Sequence, residues 1–489
     1  MGASVNIVDA FLFQARHQPT ALALCAPGMH YKTISYGRLA HFINNVGCRA
    51  ISAGLKRGDV AAIVTGDPVL HLALVLGLTR VGVVTLSAMG KRPPAEIGID
   101  VVLSERASDF PNAGRMVIAD QSWLSGPGYS PRFETGPEYG GGSTPARIIL
   151  TSGTTGDPKA VLVSHEMMLR RLQAYDVAFG NTVPTCSRFF LDLGLTASFG
   201  YTWAMYILAR GGAIFLRGAD PAETMQAFDL YKVQCMIAAP TGVMEFLDYY
   251  ERSPDFACPF DVIMASGSLL SRALSERVRA RMCSNLLATY GATEISPVAS
   301  APAHRIADIQ GAVGYIAPWV EAEIVDEDDR ALALGEEGLV RLRGHTCVDG
   351  YLGDTAGSET FFRDGWFYPG DIGTIGEDRL LIISGRKRAV INVGGNKVNA
   401  ETIEAVLESF PGVIHSAAFG RPNELGIEQI WAVVTASNDL NLEAIRTHCL
   451  KALPAPFVPV KILRVSNMPL NDMGRLDRKL LPGLAGITP

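Results

Sequence analysis

Short runs of β-branched and apolar residues alternate with helical stretches along the chain as far as about Gly311, and this alternation restricts the fold more than any other feature. "DVAAIVT", "GVVTLSA" and "DVVLSE" are separated by segments such as "PVLHLALVLGLTRVG", and the pattern resumes with "GGAIFLRG", "VQCMIAAP", "FDVIMASG" and "NLLATYG". Strands that alternate with helices form parallel sheets covered on both faces, because each crossover lays a helix over the sheet. The expected class is therefore α/β, with mixed sheets in a large N-terminal domain. After Gly311 the texture changes to strands joined by Gly and Asp turns, "EAEIVDED", "GLVRLRG" and "RLLIISG", which predicts a smaller β-rich subdomain. "GRKRAVINVGGNKVNAETIEAVLESFPGV" then reads as a turn, a two-stranded hairpin and a helix. Ile403, Val406, Leu407 and Phe410 fall at helical spacing, with Asn399 as N-cap and Glu401 near the positive helix end. The residues from Arg388 onward suffice for a small α+β C-terminal domain, dividing the chain into 1–387 and 388–489.

With 489 residues the chain can bury a large core, and length alone suggests about two to four compact units. A net charge of −6 without a long basic run leaves no footprint for nucleic acid or an anionic membrane, so polynucleotide binding is not expected. Cys25, Cys48, Cys186, Cys235, Cys258, Cys283, Cys347 and Cys449 lack the close spacing of a zinc or redox motif. They read as buried small hydrophobes of a reducing cytoplasm. No basic region precedes an apolar run at the N-terminus, and the apolar stretch around "VLHLALVLGLTRVGVV" is broken by His71 and Arg80. Neither a signal peptide nor a membrane span is expected.

The stretch richest in chemistry is "ILTSGTTGDPKAVLVSH", residues 149–165. Its glycines let backbone N–H groups approach a phosphate, Ser152, Thr154 and Thr155 add donors, and Lys159 adds a charge. Composition alone leaves an ordinary turn equally open. A phosphotransferase loop of the Walker type is disfavoured. Ala160 rather than Ser or Thr follows Lys159, and a strand follows where that loop needs a helix.

As an ordered string, "TSGTTGDPK" resembles the phosphate-binding loop of the adenylate-forming enzymes, the superfamily of acyl-CoA synthetases, peptide-synthetase adenylation domains and luciferases. Four further stretches follow in that family's order: "TYGATE" (289–294), "DGWFYPGDIG" (364–373), "ISGRKRAVINVGGNKV" (383–398) and "PLNDMGRLDRKLL" (469–481). The match runs from Asn6 to the end of the chain. The resemblance implies that Thr151, Ser152, Gly153, Thr154, Thr155, Gly156 and Lys159 hold the phosphates of ATP. It implies that the Tyr290 ring lies on adenine beside Gly291, that Thr293 contacts the α-phosphate and that Glu294 holds Mg²⁺. Ser266, Gly267 and Ser268 would line the adenine and acyl pocket, Asp371 would bind the ribose with Arg386 in support, and Arg388 would be the hinge between domains. Gly394 and Gly395 would border a channel for the pantetheine arm of coenzyme A, although a plain hairpin turn at "VGGN" has the same glycines. The residue types suit these tasks: Tyr offers a ring face, Glu is a hard oxygen ligand, and a carboxylate in a Gly turn can accept from two hydroxyls. Each motif alone would equally describe a buried Tyr, a solvated Glu or a hairpin Asp.

The resemblance implies two half-reactions. A carboxylate attacks the α-phosphorus of ATP to give an acyl-adenylate and pyrophosphate, and a thiol then displaces AMP. The first nucleophile is already an anion, so catalysis is positioning and electrostatic stabilisation. Residues 189–203, 238–242 and 265–270 are mostly apolar and small, which favours a hydrophobic acyl or aryl acid. Asp192 in "LDLG" reads as a solvated or capping residue rather than an anchor for the ammonium of an amino acid. The leading reading is a stand-alone acyl-CoA synthetase. The runner-up loads an amino or aryl acid onto a carrier protein, and a third is a catalytically weak paralogue that binds nucleotide or acyl ligand. Two departures bear on the third: Ala160 where the family usually has Gly, and Arg475 at the position of the family's catalytic lysine. A broad planar guanidinium cannot make the compact contact of an ammonium, so adenylation is expected to be slow. Outside that motif, "GRLDRK" reads as a basic, solvated tail.

Overall fold

The computed structural model describes residues 6–88, 93–106, 114–126, 141–151, 158–180, 182–183, 185–252, 257–386, 390–393, 396–422, 428–436, 440–470 and 476–484. The expected α/β class holds: a large N-terminal α/β domain carries two sheets, and a small α+β domain follows. In the first sheet Met116–Ile118, Val101–Ser104, Val60–Val64, Val84–Ser87 and Pro145–Thr151 are parallel neighbours in that order, and Lys159–Ser164 closes the edge antiparallel. In the second, Leu22–Cys25, Ala213–Leu216, Arg188–Leu191, Cys235–Ala238, Val262–Ser266 and Leu286–Tyr290 are parallel. Their nearly unbroken apolar runs are what a sheet buried on both faces demands.

The second sheet changes character at Leu286–Tyr290. Its next neighbour, Ala299–Pro302, is antiparallel, and the ladder continues through Ala312–Ile316, Leu380–Arg386, Asp371–Ile375 and Gly338–Gly344. The expected β-rich region is therefore an extension of the main sheet rather than a sheet of its own. Joining it leaves no open edge beside Leu286–Tyr290, where unpaired backbone groups would otherwise face solvent.

The helix Pro68–Arg80 is apolar almost all round because it is buried on every side. Pro68 occupies its first turn, and Asp67 Oδ1 accepts from the backbone of Val69 at 2.7 Å and Leu70 at 3.1 Å. Gly77 permits a close crossing with the helix Tyr36–Ser52, since a Cβ there would come within 2.6 Å of the Val46 side chain. The two ionisable residues of this helix have partners. Arg80 lies 3.5 Å from Asp9. His71 Nε2 bonds Ser87 Oγ at 2.6 Å, and that hydroxyl oxygen also accepts from Arg147 Nη2 at 2.6 Å. Arg147, fully buried, further donates to Thr85 Oγ1 at 3.2 Å and lies 4.4 Å over the Tyr201 ring. Tyr201 belongs to the helix Ser198–Ala209, so this polar cluster joins the first sheet to the helical layer of the second.

The small domain has the expected hairpin, Val390–Val393 with Asn396–Asn399, followed by the helix Ala400–Glu408. Ile403 and Leu407 are buried against the three-stranded sheet Val413–Pro422, Glu428–Ala436 and Lys461–Arg464, together with the helix Leu442–Ala452. Asn399 occupies the N-cap position, but its side chain makes no capping bond. It is packed instead over Gly385, where a Cβ would come within 2.5 Å of it. All eight thiols are free. Among the described residues no helix is long and apolar enough to cross a membrane.

Burial, with the Arg147 charge beside it, lowers the His71 imidazole from its ordinary 6.5 to about 3. The neutral ring contributes stability that is complete above the unfolded value and is lost as pH falls toward the folded one. His71→Gln is expected to flatten the decline of the urea midpoint between about pH 6 and pH 4. An unchanged slope in equilibrium unfolding would show that other groups control the acid response.

Candidate functional site

In open α/β sheets ligands bind outside the carboxyl ends of the parallel strands. Ser266 and Tyr290 end neighbouring strands at that edge, and Ser266 Oγ donates to the Thr289 carbonyl at 3.2 Å. Gly267 follows with φ +100°, a conformation that favours glycine, and turns the chain so that Ser268 is exposed. The Tyr290 hydroxyl donates to Asp371 Oδ2, and Arg386 Nε donates to Asp371 Oδ1 at 3.1 Å. Asp371 opens one strand and Arg386 closes its antiparallel partner, directly opposite. The sequence separation between them is therefore cancelled by register. Burial, and then the Asp371 charge, hold the Tyr290 phenol well above the usual tyrosine range. The Arg386 guanidinium is raised chiefly by Asp371.

Beyond Tyr290 the chain makes a tight turn past Gly291, in which Ala292 N–H donates to Ile295 O at 2.9 Å and Ile295 N–H donates back at 3.2 Å. The turn carries Thr293, which is half-buried, and sends Glu294 inward. Glu294 Oε1 accepts from the Tyr351 hydroxyl at 2.7 Å. Lys159, opposite Thr151 in the ladder, is buried with Nζ 4.3 Å over the Tyr351 ring, 3.7 Å over Phe361 and 4.0 Å from Asp354 Oδ2. Lys159, Tyr351 and Glu294 thus form one contiguous group. Burial and the Glu294 charge push the Tyr351 phenol far above its ordinary value. Among the described residues no cluster of three metal-ligating side chains occurs. A single buried carboxylate nevertheless suits Mg²⁺, which takes one or two protein carboxylates and completes its shell with phosphate oxygens and water.

Sequence reasoning missed Arg171. Its Nη2 donates to the carbonyl oxygens of Thr293 at 2.9 Å, Glu294 at 3.3 Å and Thr346 at 3.3 Å, and so pins the turn from beneath. The signal was present. On the helix His165–Phe179 the buried face includes Met168, Leu172, Tyr175 and Phe179, and Arg171 falls at that spacing, while Arg170 points outward to Glu166 at 2.6 Å. Burial pulls the Arg171 guanidinium down, against the opposing pull of Tyr175, Cys347 and Glu294.

Two expectations are corrected. Asp192, expected to be solvated or capping, has a side chain only 9% exposed and is paired with Arg217 Nε at 2.6 Å; Arg217 also reaches Glu245 at 2.8 Å. Asp192 follows the strand Arg188–Leu191 and Arg217 follows the adjacent Ala213–Leu216, so parallel register delivers the pair. The terminal "GRLDRK" is not simply a solvated tail. Arg478 binds Glu404 through Nη1 at 2.7 Å and Nη2 at 2.8 Å, the Ala418 carbonyl at 2.9 Å and Glu401 at 3.3 Å. Ser152, Gly153, Thr154, Thr155, Gly156, Arg388, Gly394, Gly395 and Arg475 lie outside the described residues.

A family model described as AMP-binding enzyme matches residues 11–352, and one described as AMP-binding enzyme C-terminal domain matches residues 402–475. A naringenin synthase of Pestalotiopsis fici is 26% identical over 98% of this chain and 19% of its own, so this chain spans about a fifth of that relative's length. A 4-chlorobenzoate–CoA ligase of an Arthrobacter species is 23% identical over 96% of this chain and 93% of its own. Among solved structures, ATP-bound MatB from Rhodopseudomonas palustris superposes with a TM-score of 0.82 over 98% of each chain at 22% identity, a likeness of fold.

Tyr351→Phe removes the hydroxyl that satisfies the buried Glu294 carboxylate. A loss of about 1.5–3 kcal/mol is expected in urea unfolding without divalent ions, because the partner is charged. Equal stability of the two forms would mean that the bond carries no net energy.

Proposed function

The chain belongs to the family of AMP-binding enzymes, and from that premise we propose that it activates a carboxylic acid with ATP as an acyl-adenylate and passes the acyl group to the thiol of coenzyme A. The observation that carries this reading is the convergence of Tyr290, Asp371 and Arg386 at the carboxyl edge of the sheet, with Glu294 buried just beyond. In this reading the Tyr290 face receives adenine and Asp371 accepts from the ribose hydroxyls, steadied by Arg386. Thr293 approaches the α-phosphate, and the loop from Thr151 to Lys159 takes the outer phosphates. Mg²⁺ held by Glu294 would offset phosphate charge when bound. The acid's carboxylate displaces pyrophosphate from the α-phosphorus, and a thiolate then displaces AMP at the acyl carbon. The small domain, beginning at Arg388, would turn between the two steps.

The acid is read as hydrophobic. Three strand spacings of about 4.8 Å separate Tyr290 from the end of Arg188–Leu191, a depth of roughly 14 Å along the edge. There Asp192 is already neutralised by Arg217, which disfavours an ammonium-bearing acid and favours an acyl or aryl one. Transfer to a carrier protein is the second reading. The match to a fifth of a longer synthase is compatible with it, since there a stretch like this chain is one segment of a larger protein.

A panel of acids incubated with ATP, Mg²⁺ and coenzyme A, following AMP and thioester together, tests the proposal. Equal yields of both with a hydrophobic acid are expected. AMP formation with transfer only to a carrier selects the second reading, whereas nucleotide binding without pyrophosphate release for any acid rejects both. Arg475→Lys is expected to raise acid-dependent pyrophosphate exchange on the order of tenfold while leaving transfer from preformed acyl-adenylate little changed. Equal exchange rates would remove Arg475 from the lysine's role and direct attention to Lys479.

A further inference from the structure

We propose that Tyr351 is a positioning residue that turns Glu294 so that a single carboxylate oxygen meets the metal ion, and that the site thereby takes Mg²⁺ in preference to Ca²⁺. This rests on the reading of Glu294 as the ligand of a nucleotide-bound divalent cation. The backbone of Glu294 is held from two sides. Its carbonyl oxygen accepts from Val348 N–H at 2.9 Å and from Arg171 Nη2 at 3.3 Å, and Arg171 also holds the Thr293 carbonyl at 2.9 Å. The side chain is held from a third. It is buried, and Oε1 accepts from the Tyr351 hydroxyl at 2.7 Å. That phenol is the one donor to the carboxylate among the described residues, so Oε2 is the oxygen left for a cation.

Tyr351 is itself fixed by its surroundings. Its backbone N–H donates to Ser358 Oγ at 2.8 Å, and the next residue, Leu352, donates to the Ala160 carbonyl at 2.8 Å, beside Lys159. The Tyr351 ring meets Phe362 edge-on with centroids 5.3 Å apart and Phe361 in the same manner at 6.0 Å. Lys159 Nζ stands 4.3 Å over its face, a placement the ring quadrupole favours. Neighbours on the edge and on the face keep the hydroxyl directed at Glu294. The segment from Val348 to Leu352 therefore spans two anchors, the turn that carries Glu294 and the strand that follows the Gly/Thr loop.

The two ions ask different things of a carboxylate. Mg²⁺ is small, demands a near-ideal octahedron and keeps several waters beside the phosphate oxygens it shares, whereas Ca²⁺ gathers about six to eight oxygens in a flexible shell and readily takes both oxygens of one carboxylate. A bidentate contact would need Oε1 and Oε2 turned to the same ion, and Oε1 is turned to Tyr351. The locked rotamer suits the first ion and withholds an oxygen from the second. Hydrogen-bond partners behind a ligating carboxylate contribute about 10–100-fold to metal affinity, which is ample to set such a preference.

Titration calorimetry with ATP in the absence of any acid tests the proposal, once in saturating Mg²⁺ and once in saturating Ca²⁺. The wild-type chain is expected to bind ATP about tenfold more tightly with Mg²⁺. Tyr351→Phe is expected to lose that preference, the affinity with Mg²⁺ falling by about tenfold while the affinity with Ca²⁺ is unchanged or higher. Ser358→Ala, which loosens the backbone behind the phenol and keeps the hydroxyl, should move the ratio the same way by less, and it decides the question if thermal melts show Tyr351→Phe to be unfolded. No preference in the wild-type chain, or equal losses with both ions in the variants, overturns the assignment. A Glu294→Gln chain that keeps the wild-type preference refutes Glu294 as the cation's ligand, and a wild-type chain that binds ATP with neither ion refutes the nucleotide reading. Both results differ from a preference that ignores residue 351.

Discussion

The ladder between Leu286–Tyr290 and Ala299–Pro302 is the contact on which the site depends. On one side of it lie parallel strands that end at a common edge; on the other lie antiparallel strands that bring Asp371 and Arg386 to the same edge. Side chains alternate between faces along a strand, so a slip of one residue anywhere in this run would carry one member of the Tyr290, Asp371 and Arg386 group to the opposite face. The geometry of the site is thus a property of backbone pairing, and the side chains inherit it.

Two buried arginines show how the large domain fixes its parts without paired charges. Arg147 donates to two hydroxyls and lies over an aromatic face, and Arg171 donates through Nη2 to three backbone carbonyls, while Nε of both and Nη1 of Arg171 find no partner among the described residues. Burial lowers both. Removing a cation from water is expensive, and neutral acceptors recover only part of that loss, so neither residue is explained by stability alone. What each secures is placement. Arg147 ties the first sheet to the helix that carries Tyr201, and Arg171 sets the backbone that presents Thr293 and Glu294.

Much of the fold was legible in the sequence because apolar runs and turn residues act locally. Val60–Val64, Val84–Ser87, Cys235–Ala238 and Val262–Ser266 fall where β-branched runs placed them. The pairing of Leu22–Cys25 with Ala213–Leu216 was not legible, since nothing local records which distant strand supplies a neighbour. The same limit explains the β-rich region, whose strands were visible while their union with the main sheet was not. In the site, the ordered motifs pointed to Tyr290, Glu294, Asp371 and Arg386, which the structure gathers in two linked groups. Asp192 was misjudged because its partner Arg217 lies on a neighbouring strand. Tyr351 and Arg171 were overlooked because a hydroxyl and a guanidinium that serve a turn from outside leave no mark within it.

Leu476 follows position 475 in the chain, is bridged to Leu470, and packs beside Met468 and Leu481 against Ala417 and Val433. Arg478, two residues further, is bolted to Glu404 and Glu401. From Leu476 to Leu484 the C-terminal segment is therefore fastened to the three-stranded sheet and its helix by an apolar seat at one end and a clamped guanidinium beside it. Whatever reorients that sheet reorients Leu476 and Arg478 with it, because one is seated in its apolar face and the other is tied to the Ala418 carbonyl.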